Sequence, residues 1–335
     1  MRRLGKLLFV PIPVGAFGHQ LADSEQILSN IRQNITSCKL RAYGIFLSNP
    51  SNDFHANLVK KEIKILPKFP FLYLHRLLLR LSPAYSELDN LIQNRGIELY
   101  SKLMSGPPSA IAQSITFDEE IKELQEWFGR IPKLVLLVCR DGGYDQMFGE
   151  HISAERSYRN SELSVFRKSI ELLIQEGYSV VRLGRHNTKT FESISGLIEL
   201  NDIVSSNPDK MEFCVAKLCD FIISTGSGPD TLGMFFRKPI YFINAPTVGF
   251  LQSGTIRMWF LKEIFSTDIH FGTIKKLDFE EARPYLFDEQ LLRDSVLEGK
   301  IAVRSRSEDE IFEQVRCALD HYRSIGRKPT EFIIY

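Results

Sequence analysis

The sequence predicts an α/β protein built from two doubly wound domains in succession, which face a central ligand cleft. Apolar, strand-like runs alternate with amphipathic, helix-like segments over residues 6–66, and the same alternation returns over residues 134–243. A helical stretch and a Ser-Gly-Pro-Pro-Ser linker separate the two regions. At 335 residues the chain exceeds what one ordinary core requires. We therefore expect one domain over residues 1–132 and a second over residues 133–335.

The N-terminal half alternates in the order strand, helix, strand, helix, strand, which is typical of a parallel sheet. A longer helical region, residues 71–104, and one more amphipathic helix, residues 117–129, complete this domain. The alternating elements are predicted at residues 6–12, 22–35, 43–47, 53–62 and 63–66.

The C-terminal half opens with an uninterrupted apolar run, residues 134–138, of the kind that is buried on both faces of a sheet. A long loop follows, and Ser161 is placed to cap a helix that Gly177 ends. Further strands and helices alternate up to residue 243, and a helix over residues 308–322 begins with a Ser307–Glu310 capping box. Ligands of such sheets bind beyond the carboxyl ends of the strands.

The charge of the chain argues against nucleic acid as a partner. Formal net charge is +1, charged residues make up 25% and hydrophobic residues 44%. A protein that neutralises phosphates along a nucleic acid usually has a basic excess or a basic stripe, whereas this chain has no long charge run and leaves room only for local basic sites. We expect a globular protein that does not bind nucleic acid.

The sequence gives no indication of a metal site. The 5 cysteines form no Cys-x-x-Cys pair, the 7 histidines lack the spacing of metal ligands, and no Asp-x-Asp occurs. Scattered, reduced thiols are typical of a cytoplasmic protein. We expect no metal cofactor and a cytoplasmic location.

An apolar stretch over residues 69–81 bears on membranes. His75, Arg76 and Arg80 interrupt it, so it is not a membrane span. It could present an amphipathic face to a membrane. Peripheral contact with the inner face of the membrane is therefore left open.

A glycine-rich loop is the strongest local signal. It follows a predicted strand and opens a helix with the sequence Ser224-Thr-Gly-Ser-Gly-Pro. Two glycines allow close approach of the backbone, and hydroxyl groups with the amides of a helix start are typical of an anion site. No Gly-Lys-Ser/Thr follows, so this is not a Walker loop. By pattern alone, an anion site and a structural turn are equally favoured. The candidate phosphate ligands are Thr225, Gly226, Ser227 and Gly228.

Charged residues also follow two other predicted strands. Arg140 and Asp141 lie at the end of the first strand of the second half, and Arg182 and Arg185 lie at the end of the next. Arginine offers a planar fork that fits a diphosphate, so Arg140 is expected to contact the ligand, while Asp141 either orients it or contacts the acceptor. Arg182 and Arg185 either add positive charge there or, for Arg182, lie solvated at a sheet edge.

Two further sites are weaker candidates. Arg159 and Asn160 precede the helix that Ser161 is expected to cap, and they either reach the cleft or only assist the cap. In the first domain Gly18 and His19 follow the first strand, in a loop before the first helix. A histidine ordinarily titrates near pH about 6.5, so His19 could accept a proton from a hydroxyl group, with Asp23 or Glu25 as its partner.

These motifs together resemble a group of bacterial glycosyltransferases associated with surface-polysaccharide biosynthesis. The resemblance rests on Cys139-Arg-Asp-Gly-Gly-Tyr, Tyr158-Arg-Asn-Ser, Gly177-Tyr-Ser-Val-Val-Arg-Leu-Gly and Ser224-Thr-Gly-Ser-Gly-Pro, and it covers about residues 134–250. In the N-terminal half only the Gly18-His19 loop carries it.

The resemblance implies a GT-B enzyme with two Rossmann-like domains, a nucleotide-sugar donor held by the second domain, and no obligatory metal. The late glycine loop would contact the donor phosphates, and the Gly-His loop would reach the acceptor, a glycan or a lipid-linked glycan. Many GT-B enzymes carry an acidic residue after the glycine loop, and only Asp230 corresponds to it here. A nucleotide-sugar 2-epimerase and a noncatalytic glycan-binding protein remain as alternatives. The epimerase would need more acid/base groups than the sequence offers.

Overall fold

The computed structural model describes residues 7–38, 40–93, 108–147, 149–185, 187, 194–248, 255–268, 273–325 and 333–334. The chain divides into two compact units, Met1–Thr116 and Phe117–Tyr335. Both contain parallel strands and helices, which confirms the predicted α/β class.

The boundary between the two units lies at residues 116–117, before the predicted boundary at residue 132, because helix α6 packs in the second unit. This helix, Asp118–Phe128, contacts α10, Pro208–Leu218. Glu120 is buried there and its carboxylate lies 2.8 Å from the ammonium of Lys210. An amphipathic helix is stable only where its apolar face is buried. In the described structure, residues of the second unit bury the apolar face of α6.

The first unit begins with two parallel strands, β1 and β2, joined by the long helix α1. The predicted third strand is reduced to one bridge, in which Ile65 pairs with Gly44. The bounds are β1 Leu7–Ile12, α1 Phe17–Cys38, β2 Arg41–Phe46, α2 Asp53–Glu62, α3 Lys68–Leu81, α4 Pro83–Gln93 and α5 Ala110–Ser114. The part of the predicted helical region beyond residue 93 lies outside the described residues.

Side chains of α4 occupy the free edge of β1. The amide of Phe9 donates to the hydroxyl of Tyr85 at 3.0 Å, and that hydroxyl also lies 3.4 Å from the carbonyl oxygen of Phe9. The side chain of Gln93 donates to the carbonyl of Pro11 at 3.1 Å. Proline has no amide hydrogen to offer a further strand. Helix α4 therefore lies where another strand would pair.

The second unit contains a seven-stranded sheet in the order β12-β8-β7-β6-β3-β4-β5, in which every pair is parallel. The strands are β3 Lys133–Val138, β4 Tyr178–Arg182, β5 Leu197–Glu199, β6 Phe221–Ser224, β7 Ile240–Ala245, β8 Ile256–Leu261 and β12 Ile333–Ile334. Helices α9 Arg167–Gln175, α10, α11 Thr231–Phe236 and α14 Glu308–Ile325 connect or follow them. One face of the central strands packs in a hydrophobic cluster with α9 and α14, and side chains that point to the other face, such as Leu136, Ile222 and Phe242, are buried as well.

Several connections differ from the sequence prediction. The loop after β3 contains two short helices, α7 Gly143–Gln146 and α8 Glu150–Glu155. Three antiparallel strands and two helices follow β8, and no prediction covered them. They are β9 Glu263–Asp268, β10 Thr273–Lys276, α12 Phe279–Phe287, α13 Glu289–Leu297 and β11 Ile301–Arg304.

Ser161 does not cap a helix, contrary to the prediction. A 3-10 turn over Leu163–Phe166 leads into α9, and the hydroxyl of Ser161 instead accepts a hydrogen bond of 2.9 Å from the side chain of Asn244. A tertiary partner therefore replaced the local one. At the C-terminus the Ser307–Glu310 capping box is present, with the Ser307 amide 2.9 Å from the Glu310 carboxylate.

Candidate functional site

Strands β3 and β6 mark the point at which the strand order of the large sheet reverses. The chain proceeds outward from β3 through β4 to β5, then returns to β6 on the other side of β3 and proceeds outward again. Val138 and Ser224 are paired at the ends of these two strands. Open parallel sheets bind ligands beyond such a switch point. The Arg140 and glycine-loop motifs therefore lie side by side at the expected location.

Asp230 organises the glycine loop from within. Its carboxylate accepts a hydrogen bond of 2.9 Å from the hydroxyl of Ser224 and one of 2.8 Å from the amide of Ser227. The amide of Gly226, which has a φ of 89°, donates to the Ser224 hydroxyl at 3.0 Å. Two of the amides that the sequence suggested for phosphate binding thus already have partners. The hydroxyl of Thr231 also turns inward, to the carbonyl of Gly228 at 2.7 Å.

The carboxyl of Asp230 has an altered acidity. Burial raises its pKa to about 6, although the hydrogen bonds from the loop and the positive charge of Arg159 act in the opposite direction. A carboxyl with this pKa changes charge close to neutrality. The charge of the loop therefore depends on pH.

Three arginines form a cluster beside this loop: Arg140, Arg156 and Arg159. Arg140 forms an ion pair with the buried carboxylate of Asp145, whose second oxygen lies 3.3 Å from Arg156. Arg159 lies 3.1 Å from the carboxylate of Glu289. Burial and the positive charge of Arg159 lower the pKa of Arg140. The cluster thus holds cations close together, which an anion would stabilise.

Several buried polar atoms in this region have no hydrogen-bond partner in the described part of the chain. The Nε atoms of Arg140 and Arg159 and the side-chain oxygen of Asn160 are buried, and none has a hydrogen-bond partner among the described residues. A buried donor without a partner is costly, and such atoms are common where a ligand or water completes the bonding.

The segment Tyr158–Ser161 is tied to the ends of three strands. Lys262, which follows β8, donates from its ammonium to the carbonyls of Tyr158, at 3.1 Å, and Asn160. Ser161 donates its amide to the carbonyl of Arg140 at 2.7 Å, and its hydroxyl is held by Asn244 of β7. Burial lowers the pKa of Lys262 to about 8. These bonds fix the backbone that carries Arg159.

The side chain of Asn160 is in turn packed against the loop after β3. Gly142 has a φ of 85°, and a Cβ atom at this position would lie 2.6 Å from the Asn160 amide nitrogen. A side chain at position 142 would therefore displace Asn160. This accounts for the first glycine after Arg140 and Asp141.

The other predicted phosphate ligands are engaged elsewhere. Arg182 is buried and forms ion pairs of 2.6 Å with Asp141 and 3.0 Å with Glu199, so it is neither solvated nor open to a ligand in this structure. Arg185 contacts Glu212 through two nitrogens at 2.8 Å each. Asp141 orients Arg182 and the amide of Gly143, at 3.0 Å, rather than Arg140.

In the first unit, His19 lies within a helix rather than in a loop before it. Helix α1 begins at Phe17, five residues earlier than predicted, so Gly18 and His19 belong to its first turn. The Nδ1 atom of His19 lies 3.2 Å from the carboxylate of Asp23, and the His19 side chain is 70% exposed. A carboxylate partner at Nδ1 favours the tautomer that carries the hydrogen on Nδ1, in which Nε2 is the basic nitrogen of the ring.

Sequence reasoning missed four residues of the site in the second unit. Asp145 and Arg156 lie in the segment predicted as a long loop after β3. Asn244 lies within β7 and Lys262 follows β8, and both reach the site through tertiary contacts. Asp145 and Arg156 could have been suspected only from their closeness in sequence to two predicted site residues: Asp145 lies four residues after Asp141, and Arg156 three before Arg159. No sequence motif identifies Lys262 or Asn244 as part of the site.

No protein-family model matches the sequence, and no curated protein is significantly similar to it. Among solved structures, the family 9 glycosyltransferase from Veillonella parvula is 11% identical over 96% of this chain and 99% of that chain, with a TM-score of 0.51. The ADP-heptose LPS heptosyltransferase II from E. coli is 12% identical over 95% and 99%, with a TM-score of 0.48. MnaA from S. aureus, solved with UDP, is 10% identical over 98% and 99%, with a TM-score of 0.37.

The similarity to the Veillonella parvula structure shows that the chain shares the fold of a family 9 glycosyltransferase. At this identity the similarity concerns the fold alone and says nothing of the reaction. The predicted resemblance to glycosyltransferases is confirmed at that level.

No group of three or more His, Cys, Asp or Glu side chains among the described residues is arranged to hold a metal ion. None of the described helices is long and apolar enough to cross a membrane.

Proposed function

We propose that this protein transfers a sugar from a nucleotide-sugar donor to a hydroxyl group of a glycan or lipid-linked acceptor. The observation that carries this proposal is the cluster of Arg140, Arg156 and Arg159 beside the glycine loop, at the switch point of a parallel sheet. The fold shared with a glycosyltransferase supports it.

In this proposal the arginine cluster binds the donor diphosphate. A guanidinium group can offer two parallel N–H donors to phosphate oxygens, and the unpaired Nε atoms of Arg140 and Arg159 are such donors. When the sugar leaves, negative charge develops on the diphosphate, and fixed cations stabilise it. Arginines in this role make a divalent metal unnecessary, so we propose a metal-independent reaction.

The glycine loop has a different part in this proposal from the one that its sequence suggests. The amides of Gly226 and Ser227 are already hydrogen-bonded within the loop. In this proposal residues 225–228 therefore contribute a small, closely fitting surface for the diphosphate more than hydrogen bonds to it. The loop lets a diphosphate approach the sheet end closely, while Asp230 keeps the loop in place. Arg182 and Arg185 contribute no direct contact, because carboxylates already hold their guanidinium groups.

For the acceptor we propose His19 as the general base if transfer inverts the sugar. Asp23 would hold its Nδ1, and Nε2 would take the proton of the attacking hydroxyl. This pairing resembles the arrangement in which a carboxylate fixes the tautomer of a catalytic histidine.

The test is direct. Purified protein should gain thermal stability with nucleoside diphosphates, and should hydrolyse or transfer from at least one member of a nucleotide-sugar panel, in the presence of EDTA. No stabilisation by any nucleotide at millimolar concentration would contradict the donor site. Activity lost with EDTA and restored by a divalent ion would contradict the metal-independent reaction. Interconversion of free nucleotide sugars without transfer would favour the epimerase.

A further inference from the structure

Helix α3 leaves an unusual surface uncovered. Among the described residues, one face of the helix packs inward: His75 is buried, and Phe71 contacts the ring of Phe9 at a centroid distance of 5.6 Å. On the opposite face Tyr73 is 69% and Leu81 is 70% exposed, and Phe69, at the non-helical start of the segment, is 82% exposed. Exposed apolar side chains scattered singly are ordinary, but a contiguous stripe marks a binding surface.

The stripe follows from helical spacing. Tyr73, Leu77 and Leu81 are separated by four residues each, so they lie one above another on the helix. Leu74 lies beside them and is also exposed. We call the exposed side chains Phe69, Tyr73, Leu74, Leu77 and Leu81 the α3 face.

Basic side chains border the α3 face. Arg76 and Arg80 are exposed and lie three residues after Tyr73 and Leu77, on one margin of the stripe. Three exposed lysines precede the helix, Lys60, Lys61 and Lys64, and a fourth, Lys68, is its first residue. The first three line an open groove of about 620 Å³ formed by residues 60–67.

The charge of this region is strongly asymmetric. Residues 60–81 contain six basic residues and one acidic residue, Glu62, which is itself paired with Arg32 at 2.9 Å. This segment alone therefore has a formal charge of +5, in a chain whose total is +1. Two copies of such a face would repel each other, which disfavours self-association through it.

We propose that the α3 face docks this protein on a lipid bilayer that contains anionic lipids. The apolar side chains enter the boundary between headgroups and acyl chains, and the basic margin contacts the negative headgroups. A helix of this kind lies in the plane of the interface, in agreement with its packed inner face. The inference concerns lipid and not nucleotide, so it stands or fails apart from the proposed reaction.

The experiment uses the full chain and sedimentation with sucrose-loaded vesicles. Vesicles of phosphatidylcholine with phosphatidylglycerol are compared with vesicles of phosphatidylcholine alone, at salt concentrations of about 0.1 M and about 1 M. We expect binding to the anionic vesicles at low salt, and strong weakening both at high salt and on neutral vesicles.

Two variants separate the contributions. The triple variant Tyr73→Ser, Leu77→Ser, Leu81→Ser should abolish vesicle binding. Arg76→Gln with Arg80→Gln should lower the partition coefficient by roughly 10-fold or more. All five side chains are exposed, so folding should be retained. The matched controls Ile274→Ser with Leu297→Ser, and Lys122→Gln with Arg130→Gln, change exposed residues of the second unit and should bind vesicles as the wild type does.

Three results would overturn the proposal. They are no binding to anionic vesicles, binding that the triple variant retains, or a concentration-dependent dimer in light scattering that the triple variant dissolves. Because donor hydrolysis is measured without vesicles, a protein that binds lipid but no nucleotide would contradict only the proposed function.

Discussion

The backbone amide of Arg140 donates a hydrogen bond of 2.9 Å to the hydroxyl of Thr225. This contact joins the loop after β3 to the glycine loop after β6, across the switch point of the sheet. Thr225 is fully buried, and its own amide bonds to the carbonyl of Val138 at 2.9 Å. The two motifs are therefore one structural unit.

Replacing Thr225 by valine keeps the shape of the side chain and removes the acceptor. The buried amide of Arg140 then lacks its partner, and we expect the free energy of unfolding to fall by about 1–2 kcal/mol. Denaturant titration measures this. The Thr225→Ser variant keeps the hydroxyl oxygen, so its free energy of unfolding should decrease by less. An equal decrease in both variants would mean that the methyl group, and not the hydrogen bond, stabilises the protein.

Arg140→Gln should weaken binding of a nucleoside diphosphate by about 10- to 100-fold, because it removes a charged donor from the proposed site. Isothermal titration calorimetry measures the change. Arg185→Gln is the matched control: it removes an arginine held by Glu212, so we expect lower stability but unchanged affinity. If Arg185→Gln weakens binding as strongly as Arg140→Gln, the diphosphate lies nearer to β4.

Asp230 predicts a dependence on pH. Its folded pKa of about 6 exceeds the ordinary aspartate value of 3.8, so protonation favours the folded state. Its contribution is fully present below pH about 4 and is lost as pH rises through about 6, a change of roughly 2–3 kcal/mol. Unfolding of the wild type and of Asp230→Asn is compared from pH 4 to pH 7.5. The stability of the wild type relative to the variant should decline over that range, and a constant difference would contradict the shift.

The same carboxyl should influence the ligand. As Asp230 is protonated, a negative charge leaves the neighbourhood of the arginine cluster, so the affinity for a nucleotide sugar should rise as pH falls from about 7 to about 5. Asp230→Asn should remove this dependence. Identical pH profiles for both proteins would place Asp230 too far from the diphosphate.

His19→Gln should lower the turnover number of an inverting transfer by about 10²- to 10⁴-fold and leave donor affinity unchanged. His151→Gln is a matched control, since His151 is also exposed and lies 3.2 Å from a carboxylate one turn later, that of Glu155. Steady-state kinetics with donor and acceptor decide the matter. Equal rates for wild type and His19→Gln would exclude His19 as the base.

Tyr85→Phe tests whether the Tyr85 hydroxyl stabilises the first unit. The hydroxyl accepts from the Phe9 amide and lies 3.0 Å from Nδ1 of His75, so its removal leaves buried polar atoms without this partner. We expect a loss of about 2–3 kcal/mol in the free energy of unfolding. Tyr73→Phe, on the exposed side of α3, should lose almost nothing. A small loss in Tyr85→Phe would mean that water replaces the hydroxyl.

The sequence pattern predicted those parts of the fold that depend on interactions between residues close together in sequence. The apolar run of β3, the glycine end of α6 at Gly129 and the Ser307 cap were predicted because neighbours in sequence determine them. Tertiary partners decide the rest. Ser161 is bonded by Asn244 rather than by a helix, and Arg182 is buried because two carboxylates neutralise it.

The candidate site was predictable only in its position. The rule for parallel sheets placed Arg140 and the glycine loop together. It could not indicate that Asp230 occupies the loop amides, or that Lys262 holds the segment carrying Arg159, because more than a hundred residues separate Lys262 from its partners in sequence. Such contacts become visible only when distant strands are brought side by side.

The attachment of Tyr158–Ser161 to three strand ends has a consequence for ligand kinetics. Because Lys262, Asn244 and the carbonyl of Arg140 already fix this backbone, the entropy of ordering it is lost during folding and not during binding. Association should then require no rearrangement of this segment, and its amides should resist hydrogen exchange equally well with and without ligand. This segment would act as an extension of the sheet and not as a lid.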